Sequence, residues 1–480
     1  MGRRKRPLPL IQNLEIIDAG SDGKAVGKTD ERVVFVPYAA PGDVVDVQVY
    51  KKKRSFYEAR IERFEKKSDL RIEPQCSHFG LCGGCKWQHL DYQQQLIYKQ
   101  KQVKDALDRI AKVPYPEIKT IIGSDDVFYY RNKLEYTFSN RKWLTDLDAG
   151  KEGGGPEHTH GLGFHLPGMF DKILDIETCY LQSDPSNAIR LATKAYALEN
   201  DISFYNVRAW EGLMRNIIIR NTTTGDLMVI VVFREYVQEA VEGLLNYLKE
   251  TFPEISSLMY VINGKKNDTL TDLDIELFDG NPFIVEEMPP PNDGSPPLRF
   301  KIGPKSFYQT NSKQAERLYK TAHDFAGFKG DELVYDLYTG TGTIACYVAG
   351  SVDKVIGVEY VEDAVVDARE NAQMNNISNT EFYAGDLAKV LNTEFIEEHG
   401  RPDIIITDPP RSGMHDKVTT NILDAEPKKI VYVSCNPATQ ARDIALLYEK
   451  YDVVKVQPVD MFPQTHHVEN VVLLERRPTS

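Results

Sequence analysis

The sequence predicts a multidomain fold: a small N-terminal β-barrel over 1–70, a central α+β domain over 71–298, and a C-terminal Rossmann-like α/β domain over 299–480. Three observations predict it. Short apolar runs separated by Gly and Pro turns fill the chain up to Glu65. Strand-rich mixed text follows as far as Met288, and from Phe300 buried strands alternate with helical stretches. A chain of 480 residues also exceeds one ordinary hydrophobic core.

The 41% apolar and 27% charged content fits a soluble globular enzyme. No apolar run approaches the ~20 residues that span a bilayer, and Leu10–Ile17 is too short and too interrupted for a signal peptide. A cytoplasmic location is expected. The net charge of −13 argues against a generic nucleic-acid coat, yet residues 1–71 hold sixteen Lys/Arg against eleven Asp/Glu. Gly2–Arg6 (GRRKR) and Lys51–Arg54 are the densest points. That asymmetry fits a polyanion, RNA, held at one end of the molecule.

In the first unit, LEIID, AGSDGKAVGK, ERVVFVPY, APGDVVDVQVYKK and SFYEARIERF are five candidate strands. KKKRSFYEARI sets cations beside Phe56 and Tyr57, a mixture suited to phosphates and base stacking. Next comes CSHFGLCGGCKWQHL, in which Cys76, Cys82 and Cys85 are spaced C-x5-C-x2-C. Three cysteines in ten residues read as a metal site before they read as disulfides. Cys179 is the remaining cysteine outside the α/β domain and the candidate fourth ligand. Zinc and an iron–sulfur cluster both accept four thiolates. A helix near 91–112, with Leu96, Val103, Leu107 and Ile110 in helical register, is expected to pack on the C-terminal domain. YRNKLEYTFS, HGLGFHL, RNIIIRNT, LMVIVVF and LMYVIN predict a central antiparallel sheet. Lys142–Pro156 is expected to be an excursion between two of its strands, and Glu287–Pro297 a linker.

The C-terminal unit carries the chemistry. ELVYDLYTGTGT is a buried strand followed by a turn in which Gly340 and Gly342 let a ligand approach backbone at a helix N-terminus. Glu359 ends the next strand, at the distance that suits a ribose diol. Asp386 (AGD) and Asp408 (TDPPR) end the two that follow. Any one such carboxylate could be a helix cap, but several along one sheet edge describe a pocket for S-adenosylmethionine. IVYVSCNP is a doubly buried strand that leaves Cys435 at its carboxyl end, where α/β sheets bind ligands. By position alone a cysteine there is more often a small core residue than a nucleophile.

FYQTN (Phe307–Asn311), DLYTGTGT, GVE, AGD, DPPR, VSCNP and HVEN (His467–Asn470) occur in an order that resembles the uracil-C5 RNA methyltransferases. The five-stranded start, with its GSDGKAVGK and PGD turns, resembles a TRAM domain, an RNA-binding OB-like barrel. The resemblance implies a class I methyltransferase domain in which Gln309, Tyr338, Glu359 and Asp408 contact S-adenosylmethionine, with Asp386 close by. It implies a [4Fe-4S] cluster on Cys76, Cys82, Cys85 and Cys179, with zinc the runner-up. It points to 23S ribosomal RNA as substrate and to a monomer. Thr343 departs from the pattern, standing where relatives often carry Asn.

The reaction needs these residue types. C5 of uracil is too weakly nucleophilic to take a methyl group until a thiolate adds at C6, and cysteine supplies and releases such a thiolate readily. After transfer a base must remove the C5 proton. Glu469, with its pKa raised in a dry pocket, is the candidate, and His466 and His467 compete with it. A uridine in folded RNA must leave its stack to reach such a site. Three alternatives remain: the same chemistry on transfer RNA, amino-group methylation through the DPP motif, and a non-catalytic RNA-binding protein on a methyltransferase fold. The second would leave Cys435 without a task.

Overall fold

The computed structural model describes residues 8–145, 148, 156–292 and 294–478. The basic Gly2–Arg6 stretch and most of the expected 142–156 excursion lie outside them.

The first unit is a closed barrel of β1 (Leu10–Ala19), β2 (Ala25–Lys28), β3 (Val33–Val36), β4 (Val44–Lys52) and β5 (Phe56–Lys66), in the order β1-β2-β3-β5-β4. Alternation along the strands turns Leu14, Ile16, Val34, Val36, Val45, Val47 and Tyr57 into its core. The stacking role expected for Phe56 and Tyr57 is therefore corrected. Tyr57 is buried with Arg32 over its ring, and Phe56 packs edge-on against Phe35. Tyr50 and Phe64 are the exposed barrel aromatics.

The central sheet contains β6 (Lys133–Ser139), β7 (Gly161–Leu166), β8 (Met169–Asp175), β9 (Met214–Asn221), β10 (Leu227–Phe233), β11 (Ser257–Ile262) and β12 (Ile275–Gly280). Its order is β12-β11-β10-β9-β6-β7-β8. The expected antiparallel sheet is in fact mixed. β10 and β11 pair in parallel because helix Gln238–Thr251 carries the chain back across the sheet between them. Both faces are covered, which explains why LMVIVVF is apolar throughout. Val229 and Val231 face one apolar cluster, while Met228, Ile230 and Val232 face another that continues into the C-terminal domain. The hairpin β13 (Ile284–Met288) and β14 (Leu298–Ile302) leads into that domain.

There, β15 (Leu333–Leu337), β16 (Lys354–Glu359), β17 (Thr380–Ala384), β18 (Ile404–Thr407) and β19 (Lys429–Ser434) run parallel. β20 (Tyr451–Val459) and β21 (Glu469–Arg476) complete a sheet of order β17-β16-β15-β18-β19-β21-β20, with β21 antiparallel to both neighbours. Helix Tyr92–Ala106 and a π-helical turn, Leu107–Ala111, put Leu96, Val103 and Leu107 into the core on one face of this sheet. No helix among the described residues is long and apolar enough to cross a membrane.

One buried ion pair ties these units together. Lys99 and Asp460 are both fully enclosed, with Nζ 2.6 Å from Oδ1. Asp460 also accepts from Tyr92 Oη and from the Phe462 backbone, and Lys99 donates to the Phe462 carbonyl. Removing one member of such a pair leaves an uncompensated buried charge. Asp460→Ala is expected to cost about 3–5 kcal/mol, read as a lowered thermal unfolding midpoint, and Lys99→Met in the same background is expected to recover part of it.

Candidate active site

The nucleophile candidate is placed by two local devices. β19 ends at Ser434, and Asn436 then caps helix Pro437–Leu447, its side-chain oxygen accepting from Ala438 N, with Pro437 at the helix start. Cys435 is held between these fixed points. The Asn436 amide also donates to the Arg411 carbonyl at 2.9 Å, joining the VSCNP turn to the DPPR turn.

Glu469 arrives from the opposite direction. Ser434 pairs with Asn470 in the antiparallel ladder, so extending the register by one residue sets Cys435 opposite Glu469. The end of one strand and the start of another thus bring the thiol and the carboxyl to one sheet edge. Glu469 is buried, and burial followed by the nearby Asp408 charge pushes its pKa well above the carboxylate range. Burial, then the Glu469 and Asp408 charges, pushes the Cys435 thiol up to about 11, against the pull of the Arg411 guanidinium beside it. Asp408, solvent-reachable but ringed by protein, is raised to about 7 by burial and then by Asp336. Burial lowers His466 and His467 to about 3, so both rings are neutral. The pair stacks at 4.0 Å beneath the barrel, with Gly23 against His466.

The pocket beside this edge is built around β15. Asp336 is fully buried, its Oδ2 accepting from Thr339 Oγ1 and Ala345 N, while Oδ1 has no hydrogen-bond partner. Tyr338 adopts a left-handed conformation, φ 62°, that starts the glycine turn. A side-chain carbon at Gly340 would meet no protein atom within 4 Å, so the turn lines open space. Glu359 Oε2 accepts from Gly340 N at 3.0 Å, and Oε1 from Tyr360 N and Val361 N. Gln309 reaches Tyr319, whose hydroxyl meets Thr343 Oγ1 at 3.2 Å. The departure at Thr343 is therefore accommodated in the core. Asp386 caps the short helix Leu387–Val390 through Ala388 N, and its other oxygen lies 3.8 Å from Lys389 Nζ. Burial, then the charges of Asp443, Asp386 and Glu359, raise the Tyr338 hydroxyl to about 12, so these three carboxylates lie around it.

The cysteine group is assembled by loop contacts. His78 Nε2 accepts from Glu177 N at 3.0 Å, joining the Cys76–Cys85 loop to the segment bearing Cys179. Asn187 brackets Cys179 by accepting from its N–H and donating to its carbonyl. Gly84 N points at Cys82 Sγ, 3.5 Å away. All four thiols are free, and burial plus their mutual charge raises Cys82 to about 11 and Cys85 to about 12. Among the described residues, no three His, Cys, Asp or Glu side chains converge as ligands of one metal ion.

Sequence reading passed over Asp460, Gln464 and Gln95, which hold the approach to Glu469. Nothing in PVDMFPQTHH or YQQQL distinguishes a buried polar residue from a solvated one. The role of Asn436 could have been read from the Asn-Pro step ahead of a helical stretch.

Comparison with known proteins identifies the family and the N-terminal domain. The family described as tRNA (Uracil-5-)-methyltransferase matches residues 221–477, and the TRAM domain matches residues 11–61. A Bacteroides thetaiotaomicron protein named "Uncharacterized RNA methyltransferase" is 56% identical over 460 residues, 95% of this chain and 100% of its own. One of the same name from Porphyromonas gingivalis is 55% identical over 469 residues, 96% of this chain and 99% of its own. The crystal structure of Pyrococcus abyssi tRNA (uracil-54, C5)-methyltransferase in complex with S-adenosyl-L-homocysteine superposes with a TM-score of 0.74 at 28% identity. The match covers 97% of this chain and all of that one.

The Asp336 carboxyl gives a pH test. Burial holds its folded-state pKa at about 7, above the ordinary carboxylate value, so the protonated form stabilises the fold. That contribution is complete below pH ~4 and is lost as pH rises through ~7. Asp336→Asn, which keeps the acceptor oxygen, is expected to raise the unfolding midpoint of the cofactor-free protein more at pH 8 than at pH 4. The difference is up to about 4 kcal/mol, and thermal scans across that range check it.

Proposed function

We propose, since the chain belongs to the tRNA (uracil-5-)-methyltransferase family, that it methylates C5 of a uridine in 23S ribosomal RNA with S-adenosylmethionine as donor. The observation that carries the chemistry is the meeting of Cys435 and Glu469 across the β19–β21 edge beside Asp408. The donor fits the pocket: Asp336 Oδ1 is an unmet acceptor, Gly340 opens onto free space, and Glu359 stands at the strand end that suits a ribose. Gln309, Tyr338, Glu359, Asp386 and Asp408 would hold it, and it supplies an electrophilic methyl group.

Cys435 Sγ, as thiolate, adds to C6 of the flipped uracil, and the C5–C6 π electrons move toward C5 and O4. Arg411 favours the thiolate, whose proton is given up to solvent before addition. C5 then takes the methyl group, and the donor would leave as the neutral thioether S-adenosylhomocysteine. Glu469 removes the C5 proton, the electron pair restores the C5–C6 double bond, and the C6–S bond breaks to return Cys435. The neutral His466 and His467 sit between this centre and the barrel, and the base role falls to Glu469 by register. The barrel and its Lys51–Arg54 stretch would hold flanking RNA.

A [4Fe-4S] cluster is the reading favoured for Cys76, Cys82, Cys85 and Cys179. Four free thiols gather there, with a glycine N–H aimed at one sulfur. Thiolates on a single zinc, at about 2.3 Å each, would have to converge on one point, whereas a cluster places its own atoms between them. Its role is structural, and no step of the transfer needs it. A visible absorbance band that disappears in Cys179→Ala is expected. Stoichiometric zinc without that band would sink the assignment.

Transfer RNA is the second reading. The Pyrococcus enzyme acts on tRNA and aligns over 97% of this chain, so the N-terminal barrel does not by itself separate the two substrate classes. With 5-fluorouridine in the RNA, the missing C5 proton blocks elimination, and a denaturation-resistant protein–RNA adduct is expected. Cys435→Ala should form none, and an undiminished adduct would overturn the mechanism. Methyl incorporation into 23S rRNA transcripts against tRNA transcripts decides the substrate.

A further inference from the structure

Glu469 is the first residue of β21, paired with Val459 on β20, and it directly follows the 460–467 loop; that loop is held from outside the catalytic sheet. Gln464 is the point of attachment. Its N–H donates to Gln95 Oε1 at 2.9 Å, and its Oε1 accepts from Gln95 Nε2 at 3.0 Å. Its carbonyl accepts from both Lys86 N (2.9 Å) and Trp87 N (3.0 Å), the residues that leave the cysteine loop. Its amide donates to the Val127 carbonyl. Gln464 is in the left-handed region, φ 66°, a conformation that costs a non-glycine residue of order 1 kcal/mol and persists only where surroundings enforce it.

Gln95 is fully buried, and its two amide N–H groups are shared among three acceptors. Besides Gln464, its Nε2 reaches the Trp87 and Leu90 carbonyls at 3.1 and 3.0 Å. Trp87 donates its indole N–H to Gly23 O, and Lys86 its ammonium to Asp22 O, both in the β1–β2 turn. An unbroken set of hydrogen bonds therefore runs from the RNA-binding barrel, through the exit of the cysteine loop, to the loop that delivers Glu469.

We propose that Gln95 and Gln464 form a latch that positions Glu469 for removal of the C5 proton, acting on the second half of the reaction and leaving addition of Cys435 untouched. The proposal rests on Glu469 being the base. These are positioning residues, since neither touches the substrate. Cys435 is fixed separately, by β19 and the Asn436 cap, which is why the two halves can be uncoupled.

The test follows the covalent adduct. Gln95→Leu removes the whole set of side-chain bonds, and Gln464→Met removes only the side-chain acceptor and donor, a milder change if the first fails to fold. Both are compared with wild type and Glu469→Gln, with folding checked by thermal unfolding. On 5-fluorouridine RNA, the variants are expected to trap at the wild-type rate. On ordinary uridine RNA with S-adenosylmethionine, the adduct should accumulate, its release slowed roughly ten- to a hundredfold. Release at the wild-type rate, or trapping and release slowed together, overturns the latch. If Glu469→Gln holds its adduct while both latch variants release normally, the latch fails and the base assignment stands. If Glu469→Gln itself releases normally, the base assignment fails and the latch with it.

Discussion

The buried Lys99–Asp460 pair is the constraint on which the arrangement of the catalytic edge depends. It joins a helix that precedes the central sheet in sequence to a loop near the C-terminus, 361 residues away. Asp460 orders the turn through Phe462 N, its carbonyl takes Gln314 Nε2, and the next residue's carbonyl takes Asn311 Nδ2. Tyr130 adds a bond to Pro463 O. The 460–467 loop is thus specified by three separate segments: the Lys99 helix, Asn311–Gln314 and Tyr130. In a low-dielectric interior such a network is strong when every member is paired and costly when one is removed.

Electrostatics at the edge follow from dryness. Three acids, Asp336, Asp408 and Glu469, share a buried region with one nearby cation, Arg411. Burial raises all three, and their mutual repulsion adds to it. Burial, and then the Glu469 and Asp408 charges, raise the Cys435 thiol as well, to about 11.

Much of the fold was legible because burial leaves a periodic trace. Five barrel strands, the strand–helix alternation after Phe300, and the helix beginning at Tyr92 all follow from spacing of apolar residues. The parallel β10–β11 pair was not legible, since apolar runs such as LMVIVVF look alike in parallel and antiparallel sheets buried on both faces. Phe56 and Tyr57 were misread for a related reason. Proximity to cations in sequence does not reveal which face of a strand a ring occupies, and Tyr57 points into the barrel.

The sequence by itself determined the candidates: a cysteine after a buried strand, a glycine turn with acids at successive strand ends, and a glutamate at the start of the last strand. Those residue types are uncommon in that order, so they stand out without coordinates. Only the tertiary structure decided their company. It set Cys435 across from Glu469 through an antiparallel register, occupied Asp386 with a helix cap, and left His466 and His467 neutral beneath the barrel. It also drew Gln95 and Gln464 together across 369 positions of chain. Local sequence encodes periodicity and turn chemistry, whereas contacts between distant segments depend on packing that no short motif records.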